Sequence, residues 1–169
     1  MNIDQISEEF YGQFGLAMHT VQVLERGLLE LYALNKYVVD EITEKEYYKI
    51  IGNPKGWTLG KIKDIIVETK LLDQDFNEKL QVANKYRIFL AHNFWWERDI
   101  EFENDMKLQK LHKEIFQYIS SFNELIYVID LKINSIRNEH KLNIEEKMGL
   151  TDFKVRIEYI KSLNQNNKL

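Results

Sequence analysis

The chain contains no cysteine. That absence excludes disulfide frameworks, thiolate metal sites and thiol nucleophiles together, and it suits a reducing compartment. Proline occurs once and glycine seven times in 169 residues, too few for a collagenous, low-complexity or glycine-punctuated sheet protein. No stretch reaches the ~18 uninterrupted apolar residues of a membrane span. The start MNIDQISEEF lacks the basic and apolar regions of a secretory signal. A soluble cytoplasmic protein with no membrane partner is expected. Excess positive charge is missing too. A formal charge of -4 and a pI near 5.6 argue against a broad cationic coat for nucleic acid, but leave room for a small local site.

What is present is apolar patterning. With 44% hydrophobic and 30% charged residues, the composition is that of one compact domain. A chain of this length buries about two-thirds of its unfolded surface. Phe10, Phe14, Ala17, Val21, Leu24, Leu28 and Leu31 recur in steps of four and three, which predicts one long amphipathic helix. Gln13, His19, Glu25 and Glu30 fall largely on its other faces, and Gly12, Gly15 and Gly27 permit close helix approach. The segment VVDEITEKEYYKIIGNPKGW reads as a shorter helical or irregular piece ended by Asn53, Pro54, Lys55 and Gly56. Thr58 is placed to cap a helix through about residue 72, with Leu59, Ile62, Ile65, Ile66 and Thr69 inward. Asp73 or Asp75 caps the next, where Phe76, Leu80, Ala83 and Arg87 keep helical spacing before the chain loosens near NFWWERD. Leu108, Leu111, Ile115, Ile119, Phe122, Leu125, Ile129 and Ile133 predict a last long helix over about residues 106–136. The tail TDFKVRIEYIKSL fits a short helix or a strand, with helix preferred, and the end NQNNKL is expected to fray. The expected fold is all-α, an up-and-down bundle of four or five helices. Its core covers about residues 5–137, with an extension over 138–169.

Most site chemistries find no support in this pattern. GNPKGWTLGK lacks the spacing and strand-to-helix setting of a phosphate loop. His19, His92, His112 and His140 form no pair at metal-ligand spacing, so neither a metal nor another cofactor is expected. Ser7, Ser120, Ser121, Ser135 and Ser162 lack a nucleophile elbow, and RNEH at a polar helix end suits dipole complementation. The stretch YRIFLAHNFWW remains, with Arg87 and His92 five residues apart. On an ideal helix those two are separated by about 140° of rotation. Either the helix bends near His92, or another surface, such as the same motif in a second subunit, completes the site. The pair suits RNA phosphodiester cleavage: His exchanges protons near neutral pH, and Arg braces the anionic phosphorane. Phe89, Phe94, Trp95 and Trp96 can pack in the core, form an interface or stack on bases.

The motif RIFLAH resembles the Arg, four to six residues, His signature of the HEPN superfamily, often written RNxLAH. Supporting context is FGLAMHTVQVLERGLLEL, WTLGKIKDII, LQVANKYRIFLAHNFWW and the closing helix, although only the Arg/His motif is specific. The resemblance implies a metal-independent endoribonuclease, commonly a homodimer with both motifs at the interface. Such proteins serve in toxin–antitoxin, abortive-infection and antiviral systems, with an antitoxin or defence protein as partner. Carried over, Arg87 stabilises the phosphate and His92 is catalytic, while Asn93 helps orient the His; Lys85, Trp95 and Trp96 are further candidate RNA-binding residues. Two positions depart from the family pattern. Ile88 stands where a polar residue often follows the Arg, and Phe94 stands where one toxin subgroup carries a modified Tyr. The alternative is a non-catalytic HEPN module that binds RNA, a nucleotide or another protein.

Overall fold

A computed structural model describes residues 3–52, 56–98 and 105–142. The tail helix, the frayed end and the Asn53–Pro54–Lys55 turn expected from the sequence lie outside them. The chain divides into two compact units, Met1–Ile136 and Arg137–Leu169.

All regular structure among the described residues is helical: α1 (Ile3–Val39), α2 (Glu44–Gly52), α3 (Leu59–Thr69), α4 (Gln74–Ile88), α5 (Phe94–Arg98) and α6 (Asp105–Glu139). A π-helical turn over Phe89–Asn93 joins α4 to α5, and the backbone stays right-handed helical at both junctions. These three segments make one rod, so the fold is an all-α bundle of five rods.

Side-chain contacts fix the directions of the rods. Tyr37 of α1 meets Tyr47 of α2 with ring centroids 6.0 Å apart, as in a tight helical hairpin. In α3, a methyl placed on Gly60 would touch Asn84 of α4 at 3.8 Å, pairing the start of one helix with the end of the other. Arg87 and Phe94 face Glu25 and Phe14, so α1 runs antiparallel to the α4–α5 rod. The rod is antiparallel to α6 as well, through Lys79–Glu124 at 2.7 Å and Tyr86–Tyr118 at 4.3 Å. The order is up-and-down throughout, as the short connections require.

The core follows the apolar steps of the sequence. Phe10, Ala17, Val21, Leu24, Leu28 and Leu31 are buried on α1, as are all eight apolar residues expected to set α6. Gly27 permits a close approach of these two helices, since a methyl there would stand 3.3 Å from Ile129 Cγ2. Gly12 and Gly15 do not play that part, because a methyl on either would meet nothing within 4 Å. Glu30, expected on a polar face, is buried.

Helix ends show where local chemistry is decisive. Asp73 caps α4 by accepting from Phe76 N–H at 2.8 Å, as the sequence suggested. Asp73→Ala is therefore expected to cost about 1 kcal/mol, read as a lower urea midpoint at unchanged slope. Thr58 occupies the N-cap position of α3 but its hydroxyl makes no cap bond. Leu59 N–H instead donates to Glu25 Oε1 of α1 at 2.9 Å. That helix stops at Thr69, short of the expected residue 72, because Lys70 turns left-handed with φ 53 and donates to Val67 C=O. Thr43 and Glu46 form a capping box before α2. Within the second unit, Lys141 (φ 49) and the Leu142 N–H to Arg137 C=O bond of 2.9 Å close α6 in a Schellman turn.

Candidate functional site

YRIFLAHNFWW lies where the regular α-helix changes to a π turn. Phe89 N–H still donates back to Lys85 and Tyr86 carbonyls, whereas Phe94 N–H reaches Phe89 C=O five residues earlier. A π turn spreads one rotation over more residues, so each step turns less than the ~100° of an α-helix. Arg87 and His92 straddle the start of this widening. Their angular separation about the helix axis thus falls below the value for a regular helix. π turns of this kind occur frequently at functional sites.

The two residues sit in different environments. Arg87 is half-buried, and its Nε lies 3.5 Å from Glu25 Oε1, its one ionic partner among the described residues. His92 is exposed, with no hydrogen bond or ion pair to any described residue. A buried, structurally satisfied histidine is therefore not what the chain contains at this position. No hydrogen bond joins His92 to Arg87; they share a rod, the Arg held toward α1 and the His open to solvent.

Around them the other candidates separate by burial. Lys85 and Asn93 are exposed. Trp95 is 39% exposed and stacks on Tyr11 at 5.6 Å, with Phe14 at 4.9 Å, so part of its ring belongs to packing. Trp96 is 89% exposed and Ile88 44%, which leaves two large apolar side chains in water on the rod that carries His92. Phe94 is fully buried between Phe10 at 5.8 Å and Phe14 at 5.1 Å, and Phe89 is half-buried against it at 5.7 Å.

A polar clamp holds the π turn from the α6 side. Glu114 accepts from Tyr118 Oη and pairs with Arg98 Nη2 at 3.1 Å. The Arg98 guanidinium lies 5.4 Å from the Phe89 ring, and Tyr118 packs on Tyr86 and Phe89. Burial first, and then the bond to Glu114, push the Tyr118 phenol above its ordinary range. In the unfolded chain a tyrosine ionises near ~10, while the folded one keeps its proton, so stability declines as pH rises past about 10. Tyr118→Phe cannot ionise there and is expected to flatten that part of the alkaline unfolding curve. A variant curve parallel to the wild type would contradict the assignment.

Neither this clamp nor Glu25 was found by reading the sequence. The ion pairs Arg98–Glu114 and Arg87–Glu25 join residues 16 and 62 positions apart on different rods, and no spacing rule pairs them. Among the described residues no group of three or more His, Asp or Glu side chains is placed to hold a metal ion, and no helix is long and apolar enough to cross a membrane. No family model, curated protein or solved structure matches this chain.

Proposed function

We propose that the protein is a HEPN-like, metal-independent endoribonuclease that acts as a homodimer in toxin–antitoxin or antiviral defence. One observation carries the reading: an exposed His92 on a π turn, adjoining the helical turn that presents a half-buried Arg87. In the reaction the 2′-hydroxyl oxygen of RNA bonds to phosphorus and the bond from phosphorus to the 5′-oxygen breaks. His92 takes the proton from the 2′-hydroxyl, the second copy's His92 or water gives one to the departing 5′-oxygen, and Arg87 donates to the phosphorane oxygens. The products are a 2′,3′-cyclic phosphate and a 5′-hydroxyl.

Exposed Ile88 and Trp96 support association of two copies along this rod, which would bring a second Arg/His pair to the same RNA. Lys85 supplies a further cation beside the motif, and Asn93 a polar group next to His92. Regulation by modification after the histidine does not suit this chain, because Phe94 has no hydroxyl and is fully buried.

A second reading has its own observation. Ile88, exposed beside Arg87, puts an apolar side chain where a polar one would assist the chemistry, and this favours an RNA- or protein-binding module that does not cut. Cleavage of diverse RNAs in EDTA separates the two. Wild type is expected to cut, and Arg87→Ala to lose roughly 10²- to 10³-fold in rate, the usual cost of one transition-state donor. RNA binding by wild type without cleavage establishes the module instead.

A further inference from the structure

Arg87 does not stand alone at the site; it is held by a carboxylate that is itself held. Glu25 Oε1 accepts from Leu59 N–H at 2.9 Å and lies 3.5 Å from Arg87 Nε. One oxygen of α1 therefore joins the first turn of α3 to the last turn of α4. The Leu59 bond supplies what the sequence withholds from α3, whose Thr58 makes no side-chain cap and whose first turn has no acidic residue. Glu25 and Arg87 are both only partly accessible, at 19% and 24% of their side chains, so the pair is screened less than a surface bridge.

Glu25 approaches Arg87 at Nε, as an ion pair of 3.5 Å that is longer than an ordinary hydrogen bond. A guanidinium has five N–H donors in a rigid plane, and four of them are on the two Nη atoms. A carboxylate beside Nε biases the orientation of that plane through its charge, and the Nη atoms carry the parallel donors that an anionic oxygen pair needs. Had Glu25 taken those donors in a bidentate pair, it would compete with a phosphate.

We infer that Glu25 is a positioning residue, which sets the Arg87 guanidinium so that its Nη edge meets the scissile phosphate of RNA. The inference rests on the ribonuclease reading above and adds to it a residue that acts through Arg87 without touching substrate. Misplacing a catalytic group by an ångström costs on the order of 10²-fold in rate, so the effect falls on kcat.

Glu25→Gln separates the two tasks, because its amide oxygen still accepts from Leu59 N–H while the charge at Arg87 is gone. The test measures kcat and KM for RNA cleavage in wild type, Glu25→Gln and Glu25→Asp, with the thermal midpoint of each. It also follows hydrogen exchange of the Arg87 Nε–H by NMR, assigned by its loss in Arg87→Lys. The expected result is a fall of about 10- to 100-fold in kcat for Glu25→Gln, little change in KM or midpoint, faster Nε–H exchange, and partial recovery of kcat in Glu25→Asp. Glu25→Gln cleaving like wild type would overturn the positioning role and leave the ribonuclease reading intact. A fall in kcat matched by a collapsed midpoint, or unchanged Nε–H exchange, would overturn it in favour of a structural role. Wild type that cuts no RNA would overturn the ribonuclease reading and this role with it, whatever the exchange data show.

Discussion

His92→Ala is expected to lower kcat for RNA cleavage by roughly 10²- to 10⁴-fold, the range found when a positioned acid or base is removed. The same change should leave unfolding free energy within about 0.5 kcal/mol of wild type. The two halves of that prediction come from one fact. His92 is exposed and takes no hydrogen bond or ion pair among the described residues, so the fold gains little from the imidazole. A histidine kept for packing would show the reverse, a stability loss with activity falling only as the protein unfolds. Measuring urea unfolding beside cleavage distinguishes the outcomes. A His92→Ala variant that retains wild-type kcat would remove the histidine from the mechanism.

Phe94→Ala should do the opposite, and its expected effect on stability is the largest of any single change considered. The ring is fully buried, stacked on Phe10 at 5.8 Å and close to Phe14 at 5.1 Å and Phe89 at 5.7 Å. Truncating such a residue costs about 3–5 kcal/mol through lost burial and the cavity left behind. Against the ~5–15 kcal/mol that a domain has in total, that is a large share. The damage should concentrate near the site, since Phe94 closes the π turn with its N–H and anchors the short α5. A large drop in the urea midpoint at unchanged slope is the expected result, with RNA cleavage reduced even below the transition. A midpoint near that of wild type would mean that the aromatic cluster does not fix this rod.

What the sequence made legible was set by period. Three-and-four spacing over Phe10–Leu31 and Leu108–Ile133 located the two long helices and their buried faces, because burial of one stripe leaves a strong regular trace. Asp73 marked the start of α4 for a similarly local reason. The Thr43 and Glu46 capping box was also readable, as a Thr followed three residues later by Glu, yet the surrounding segment had little apolar pattern to draw attention to it. At the site, Arg87 and His92 were legible as a motif, but their geometry was not. A π turn accommodates one extra residue in the helix, and the backbone bond from Phe94 N–H to Phe89 C=O reveals it, not the spacing of the side chains. Glu25 was invisible for a related reason, since it serves Leu59 and Arg87 across the bundle from a position that reads as an ordinary polar face.

The chemistry of the RNA ends tests the central claim most directly. Purified wild type in EDTA, given an RNA with one preferred cut, should leave a 2′,3′-cyclic phosphate on one fragment and a 5′-hydroxyl on the other. A single 2′-deoxy substitution at the nucleotide that supplies the attacking hydroxyl should abolish that cut. Fragments ending in 3′-hydroxyl and 5′-phosphate, or undiminished cleavage of the 2′-deoxy substrate, would contradict attack by the 2′-oxygen and the roles given to Arg87 and His92.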